Sequence, residues 1–212
     1  MDIQDAVVAI PALMMAVILH EYGHGWMAYK MGDPTAKEMG RLTLNPVPHI
    51  DLFGTIILPG LLLLIGSPIL FGWAKPVPIN PLMFKNLRLG TFLVSIAGIS
   101  MNILLALLFA LAYRVIVNGY LNFLGEAVLV PLGLFAAKAV LINLVLAFFN
   151  AIPIPPLDGS RAVMSFFSVR YWELFYRFET YGFLLITVLL FTGVLGKIIF
   201  PPILFLFNYL IR

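Results

Sequence analysis

The sequence contains no cysteine and unusually few charged residues. Without cysteine, disulfides and thiolate-ligated metal sites are excluded. Charged residues make up 11% of the 212 positions, whereas an ordinary soluble domain carries about 25%. The apolar fraction is 62% and the mean hydropathy is +1.03. These values exclude a soluble domain, a disordered chain and a nucleic-acid-binding protein, and they fit a protein whose solvent is a lipid bilayer.

Long uncharged runs predict the membrane-spanning helices. A helix needs about 20 apolar residues to cross a bilayer. The run 89–113 is uncharged and meets this need. The other candidates are 6–30, which Glu21 interrupts, 127–150, which Lys138 interrupts, and 178–196. The tail 198–211 is short and contains Pro201-Pro202, which predicts an interfacial segment, with a half-membrane piece or a span as the alternatives. We therefore expect an all-α polytopic membrane protein with about four spanning helices, forming a single domain over 1–212 with its core at 6–161.

Basic residues fall in three loops, at 30–41, 75–88 and 161–177. The positive-inside rule places all three loops in the cytoplasm. The apolar run 52–74 lies between two of these loops, so it cannot cross the membrane once. We expect it to be re-entrant; the alternative is a plain fifth span with an unusually basic outer loop.

The pattern that carries chemistry is His20-Glu21-Tyr22-Gly23-His24. Histidines four residues apart lie on one face of a helix, where they can bind one metal ion. Glu21 beside them could be the general base that takes a proton from a zinc-activated water. The alternative is a polar pair satisfied within a helix bundle. It is the weaker one, because ionisable groups inside a membrane are costly and usually functional.

A catalytic zinc needs a third protein ligand and an open position. His49 and the carboxylates are the candidates, and Asp158 is the best of them. It follows Pro153, Pro155 and Pro156, which cannot continue a helix and force an extended or turned backbone. The alternative is that Asp158 caps the next helix.

Together, the stretch from His20 to His24 and the stretch from Asn150 to Gly159 resemble motifs of the site-2 protease family of intramembrane zinc metalloproteases. Three further stretches, 45–55, 72–81 and 97–102, resemble segments of its compact bacterial-type branch, which lacks a PDZ domain. Leu52, Ile99 and Ser160 stand where the family usually has other residues, but none is a presumed ligand.

The resemblance implies a peptidase that hydrolyses bonds within or near transmembrane helices of substrate membrane proteins, in regulated intramembrane proteolysis. It implies one Zn²⁺ per chain, bound by His20, His24 and Asp158, with Glu21 as the base. Asn102 and Asn150 would steady the oxyanion or the substrate backbone, or else make interhelical hydrogen bonds.

Two further contacts are predicted near the site. The alternation of residues 40–45 is typical of a half-buried strand, and predicts a short cytoplasmic-side β-hairpin near 38–47. An unwound substrate could pair with its edge at Thr43. His49 is either a substrate-gating contact or, more simply, a loop histidine at the interface.

The metal site also constrains the topology. Residues 20–24 and 158 must lie at one depth, so the two helices that carry them must run in the same direction. A single span between them satisfies this requirement. It places the site toward the cytoplasm of a bacterial-type cell membrane and the N-terminus outside.

Two other functions fit parts of the pattern. A CAAX-processing-type membrane metalloprotease would use a downstream glutamate, Glu173 or Glu179, as the third ligand. A zinc transporter or zinc-stabilised scaffold would keep its function in the variant Glu21→Gln, whereas a protease would lose it.

Overall fold

The computed structural model describes residues 3–65 and 74–212, and within those ranges the chain is helical, with no β-strand. The α-helices in chain order are α1 (Ile3–Met31), α2 (Thr35–Glu38), α3 (Leu58–Leu64), α4 (Leu87–Val117), α5 (Glu126–Asn150), α6 (Asp158–Met164), α7 (Trp172–Arg177), α8 (Glu179–Phe191) and α9 (Val194–Ile211). Short 3₁₀ or π turns cover Val47–His49, Leu52–Ile57, Pro81–Met83, Asn122–Leu124 and Val169–Tyr171.

Four described helices are long and apolar enough to cross a membrane. They are Val7–Met31 of α1, and α4, α5 and α9. The first three confirm the predicted spans at 6–30, 89–113 and 127–150. The chain is therefore a multi-pass membrane protein.

Helix α4 packs against both α1 and α5, which also contact each other, and it runs antiparallel to both. Toward α1, His20 contacts Asn102 while His24 contacts Val94. Toward α5, Asn102 contacts Asn143, and Gly133 faces Ile116. Helices α1 and α5 therefore run in the same direction, as the metal-site argument requires.

The C-terminal helix differs from the prediction of an interfacial segment. Helix α9 has 18 residues and buries Leu195, Ile199 and Ile203 along one face against α4 and α5. The uncharged run understates its length, because the helix begins before Lys197. Pro201 and Pro202 lie inside the helix without ending it.

The predicted span at 178–196 is wrong in its bounds. Helix α8 ends at Phe191, and Gly193 adopts a left-handed conformation with φ of 71° before α9 begins. Glycine reaches this region without steric cost, so it ends the helix there. The preceding segment, Val169–Arg177, is bent by 50° relative to α8.

The predicted β-hairpin near 38–47 is also wrong, because this part of the chain forms turns. The backbone N–H groups of Arg41 and Leu42 both donate to the carbonyl of Ala36. Thr43 Oγ1 accepts a hydrogen bond from the N–H of Asn45. Such local bonds compete with pairing between strands.

The re-entrant prediction for 52–74 lies partly outside the described residues, which stop at 65 and resume at 74. Asp51 caps the described part, accepting hydrogen bonds from the N–H groups of Phe53 and Gly54. On the far side, Lys75 N donates to His49 O over 2.9 Å. The two flanks are therefore adjacent, but a re-entrant course is not confirmed.

Candidate metal centre

Three ligand atoms from two distant parts of the chain converge at one point. Nε2 of His20 and Nε2 of His24 are 2.9 Å apart, and each is 3.2 Å from Oδ2 of Asp158. Both histidines are buried on α1, and Asp158 is the first residue of α6. The structure thus brings together the three residues that the sequence predicts as metal ligands.

The hydrogen bonds of the two imidazoles fix the direction of their lone pairs. His24 Nδ1 lies 2.7 Å from the carbonyl of Val94, and His20 Nδ1 lies 2.6 Å from Oδ1 of Asn102. A carbonyl oxygen only accepts, so each Nδ1 carries the proton and each Nε2 presents a lone pair. Partners of this kind on the outer nitrogen are typical of metal-binding histidines.

The donor set fits a zinc ion. Two lone pairs and a carboxylate oxygen repel one another at these distances unless a cation lies among them. Zinc binds histidine and carboxylate at about 2.0–2.2 Å in tetrahedral geometry, which separates its ligands by about 3.3 Å. The observed separations of 2.9–3.2 Å are close to that value. Three protein ligands leave the fourth position open, as in catalytic sites.

Gly98 makes room for this cluster on α4. A Cβ at residue 98 would lie 2.4 Å from Nε2 of His24 and 2.7 Å from Cε1 of His20. Real Cβ atoms do not approach other atoms this closely, so a larger residue would displace the ligands. The stretch 97–102 therefore contributes both the space at Gly98 and the partner at Asn102.

Asp158 is held in place by the proline-rich exit of α5. The backbone of Leu157 is extended, and α6 begins at Asp158. A Cβ at Gly159 would lie 2.2 Å from the carbonyl of Ala151, so only glycine permits this close approach. A carboxyl group must be ionised to bind a metal, and this backbone presents Oδ2 of Asp158 to the two Nε2 atoms at 3.2 Å.

Glu21 lies outside the ligand group, although it is next to His20 in the chain. Its Oε2 accepts a hydrogen bond of 2.8 Å from the backbone N–H of Val77. Val77 belongs to the stretch 74–80, which has no regular secondary structure and which Arg41 holds by donating to the carbonyls of Lys75 and Pro76. The carboxylate thus has a fixed orientation, and its second oxygen is not engaged by Val77.

Asn102 was predicted to contact the oxyanion or to form an interhelical bond, and the structure shows the bond. The side chain is fully buried on α4. It contacts His20 and the carbonyl of Ala16 on α1, and Asn143 on α5. Its partner on α5 is Asn143, which the sequence analysis did not select. The available signal was an amide inside a long apolar run, which is costly unless it is paired.

The remaining predicted site residues are not brought to the ligands by any recorded contact in the described part of the chain. Asn150 Nδ2 donates to Leu146 O on its own helix. His49 is a loop residue that is 1% exposed, and its Nε2 bonds to the carbonyl of Thr43. Both His49 and Thr43 stabilise the turn that replaces the predicted hairpin.

The glutamates required by the CAAX-type alternative also lie elsewhere. Glu173 forms an ion pair with Arg177, and Glu179 forms one with Arg161. Both pairs involve exposed or half-exposed side chains on α6 to α8. Neither glutamate belongs to the ligand group found among the described residues.

A membrane-spanning bundle that brings together two histidines four residues apart and an aspartate, with a glutamate next to the first histidine, is the arrangement expected of a membrane zinc metallopeptidase. The profile of Peptidase family M50 matches residues 125–193, which include Asp158. No solved structure matches the chain.

Curated relatives extend the similarity over nearly the whole chain. YwhC of Bacillus subtilis (strain 168) is 39% identical over 189 residues, which cover 89% of this chain and 82% of that protein. Rip2 of Mycolicibacterium smegmatis is 26% identical over 203 residues, covering 96% of this chain and 74% of the relative. Rip2 of Mycobacterium tuberculosis (strain H37Rv) is 33% identical over 157 residues, or 74% of this chain and 56% of the relative. All three carry names that describe zinc metalloproteases.

The chain therefore belongs to peptidase family M50, the site-2 protease family of membrane metalloproteases.

Proposed function

We propose that this protein is an intramembrane zinc endopeptidase that cleaves peptide bonds within or next to the transmembrane helices of other membrane proteins. The observation that carries the proposal is the convergence of His20, His24 and Asp158 on one point, with Glu21 beside them. Membership of the M50 family and the names of the relatives support the same chemistry.

The roles of the residues follow from their positions. His20, His24 and Asp158 would hold one zinc ion, which, when bound, acidifies water and polarises the scissile carbonyl. Glu21 would take the proton from the attacking water and pass it to the leaving amine. The Val77 N–H fixes one carboxylate oxygen of Glu21, which leaves the other to make the proton transfer.

Asn150 is a candidate for holding the substrate. It lies in the last turn of α5, eight positions before Asp158. Its amide bonds only to its own helix among the recorded contacts of the described chain, so it is free to reorient toward a bound peptide. Interhelical bonding instead accounts for Asn102, as its contacts with His20 and Asn143 support.

The orientation follows from charge and depth. His24 lies six residues before Lys30, or about 9 Å below the end of α1 at 1.5 Å per residue. The basic residues Lys30, Lys37, Lys75, Lys85 and Arg88 lie at this end of the bundle, around the segments that close the site. We therefore place the site toward the cytoplasm, the N-terminus outside, and the whole chain as one peptidase domain in a bacterial cell membrane.

The test compares cleavage and zinc content in one set of samples. A model single-span membrane protein, tagged at both ends, is reconstituted with the enzyme in liposomes. We expect Glu21→Gln to retain about one zinc per chain and to lose cleavage by about 10²–10⁴-fold, the usual contribution of a general base. Glu38→Gln, which changes an exposed glutamate on α2, is the matched control and should cleave normally.

Two results would overturn the proposal. The protease assignment fails if Glu21→Gln cleaves as well as the wild type. If the purified wild type binds no zinc, the metal assignment fails as well.

A further inference from the structure

A chain of buried amides connects the ligand cluster to the centre of the helix bundle. Asn102 on α4 and Asn143 on α5 are both 0% exposed. Around Asn143, the buried neighbours on α5 are apolar: Ala139, Val140, Leu144 and Ala147. A polar side chain in such surroundings is costly unless its hydrogen-bonding groups are satisfied, so the pairing of the two amides needs a reason.

Two backbone carbonyls fix the direction of this chain. Asn143 Nδ2 donates to Ala139 O over 2.8 Å, so its Oδ1 must face Asn102. Asn102 Nδ2 donates to that Oδ1 over 2.9 Å and to Ala16 O over 3.2 Å. Both amide protons of Asn102 are thereby used, and its Oδ1 is turned toward His20 Nδ1 at 2.6 Å.

The consequence appears at the other nitrogen of His20. Because Asn102 presents an acceptor, Nδ1 of His20 must carry the proton, and Nε2 keeps its lone pair for the ligand position. If the amide of Asn102 rotated by half a turn, it would present N–H groups to Nδ1 and favour the wrong tautomer. The longer bond to Ala16 alone opposes this rotation less well than the two bonds together.

We propose that Asn143 is a positioning residue for the metal site: through Asn102, it selects the tautomer and ring orientation in which His20 binds zinc. This inference rests on the proposed function, since it assumes that His20 is a ligand. It assigns a role in the site to a helix, α5, that contributes no ligand itself within its described length.

The experiment measures metal binding and not cleavage. Wild type, Asn143→Leu and Asn143→Asp are purified in detergent, stripped of metal and titrated with Zn²⁺ against a chromophoric chelator. The same samples are loaded with Co²⁺, whose visible absorption reports the geometry of the ligands. The aspartate variant keeps an acceptor oxygen at the same place, whereas the leucine variant withdraws it.

We expect Asn143→Leu to bind Zn²⁺ about 10-fold more weakly, which is the low end of the affinity loss seen when outer partners of metal ligands are changed. The variant should also shift the Co²⁺ absorption. Asn143→Asp should bind close to the wild-type level. Thr91→Val is the matched control, because it removes a buried hydroxyl that bonds within α4 to Leu87 O. It should change neither the affinity nor the spectrum.

A second variant covers the case in which Asn143→Leu does not fold. Asn143→Ser is smaller and polar, and it too withdraws the acceptor from Asn102. The inference is overturned if the variant that folds, Asn143→Leu or Asn143→Ser, has the Zn²⁺ affinity and the Co²⁺ absorption of the wild type. A wild type that binds neither ion would instead overturn the proposed function, so the two failures are distinguishable.

A double-mutant cycle tests whether Asn143 acts through Asn102. Asn102→Leu should weaken Zn²⁺ binding by about 10–100-fold on its own. In that background Asn143→Leu should have no further effect on affinity, because the link between them is already broken. Independent, additive effects would contradict the proposed route.

Discussion

Two aspartates, Asp33 in the loops after α1 and Asp158 at the start of α6, make opposite use of their surroundings. Asp33 is 0% exposed and accepts hydrogen bonds from the N–H and hydroxyl of Thr35 and from the N–H of Asn80. Asp158 instead faces the Nε2 atoms of His20 and His24, each 3.2 Å away, and both present lone pairs. The first carboxylate is satisfied by donors of its own chain, whereas the second meets other acceptors.

The difference teaches how to tell a structural carboxylate from a functional one. Asp33, Arg41 and His49 make up what we call the loop cluster, because each ties the loops that follow α1 to the stretch 74–80. Asp33 accepts from the N–H of Asn80, Arg41 donates to the carbonyls of Lys75 and Pro76, and the carbonyl of His49 accepts from the N–H of Lys75. The Asp33 carboxylate is stabilised there without any ligand. The cluster at Asp158 instead brings three metal-ligating atoms together, and a cation would complete it.

Removing the carboxylates of Asp158 and Asp33, one at a time, should give the largest difference between the two regions. We expect Asp158→Asn to lose nearly all its zinc and all its cleavage activity, because the neutral amide is a poor ligand. Asp33→Asn should keep about one zinc per chain but unfold more easily, by about 1–3 kcal/mol, since buried donors lose their acceptor. Zinc content by atomic emission and thermal unfolding in detergent give the two readouts.

The opposite result would reverse the assignment. Full zinc retention in Asp158→Asn would remove this residue from the ligands and direct attention to Glu173 and Glu179, which Glu173→Gln and Glu179→Gln would then test.

Adding a methyl group at two glycines of α4 separates the same two regions. Gly98→Ala places a Cβ among the histidine ligands, so we expect zinc affinity to fall at least about 10-fold. Gly90→Ala places a Cβ 2.5 Å from the ring of Phe84, which is buried in an apolar cluster with Ala28 and Val94. It should cost about 1–3 kcal/mol of stability and leave zinc affinity unchanged. Equal zinc affinities in the two variants would contradict the predicted role of Gly98.

Residue type and spacing were enough to predict the ligand cluster. Two histidines four positions apart on a helix have few other uses inside a membrane, and the prolines before Asp158 dictate an irregular backbone there. The direction of the helices followed from the need to bring these residues together. Asn143 was not predicted because it belongs to no motif, and its role becomes visible only from its hydrogen bond with Asn102 on the neighbouring helix.

Two wrong predictions, the hairpin near 38–47 and the interfacial C-terminal segment, concern stretches whose local sequence pattern is weak. The alternation in 40–45 matched a strand, but Thr43 and Asn45 form turns through their own side chains, which the period alone does not reveal. At the C-terminus, Lys197 divided a helix that packing against α5 keeps whole. Tertiary contacts decided both cases, and they are not visible in a single sequence.

The smallest expected effect lies where the two regions meet, at Arg41. This buried side chain holds the backbone of Lys75 and Pro76, and the next N–H, of Val77, orients Glu21. Arg41→Leu should therefore leave zinc content unchanged and lower kcat, by about fivefold for about 1 kcal/mol of lost orientation. Arg41→Lys keeps one donor group, so its kcat should lie between those of the wild type and Arg41→Leu. If Arg41→Leu cleaves at the wild-type rate, the loop cluster stabilises the fold only and does not orient Glu21. A slower rate with full zinc content would show that the loop cluster also positions Glu21.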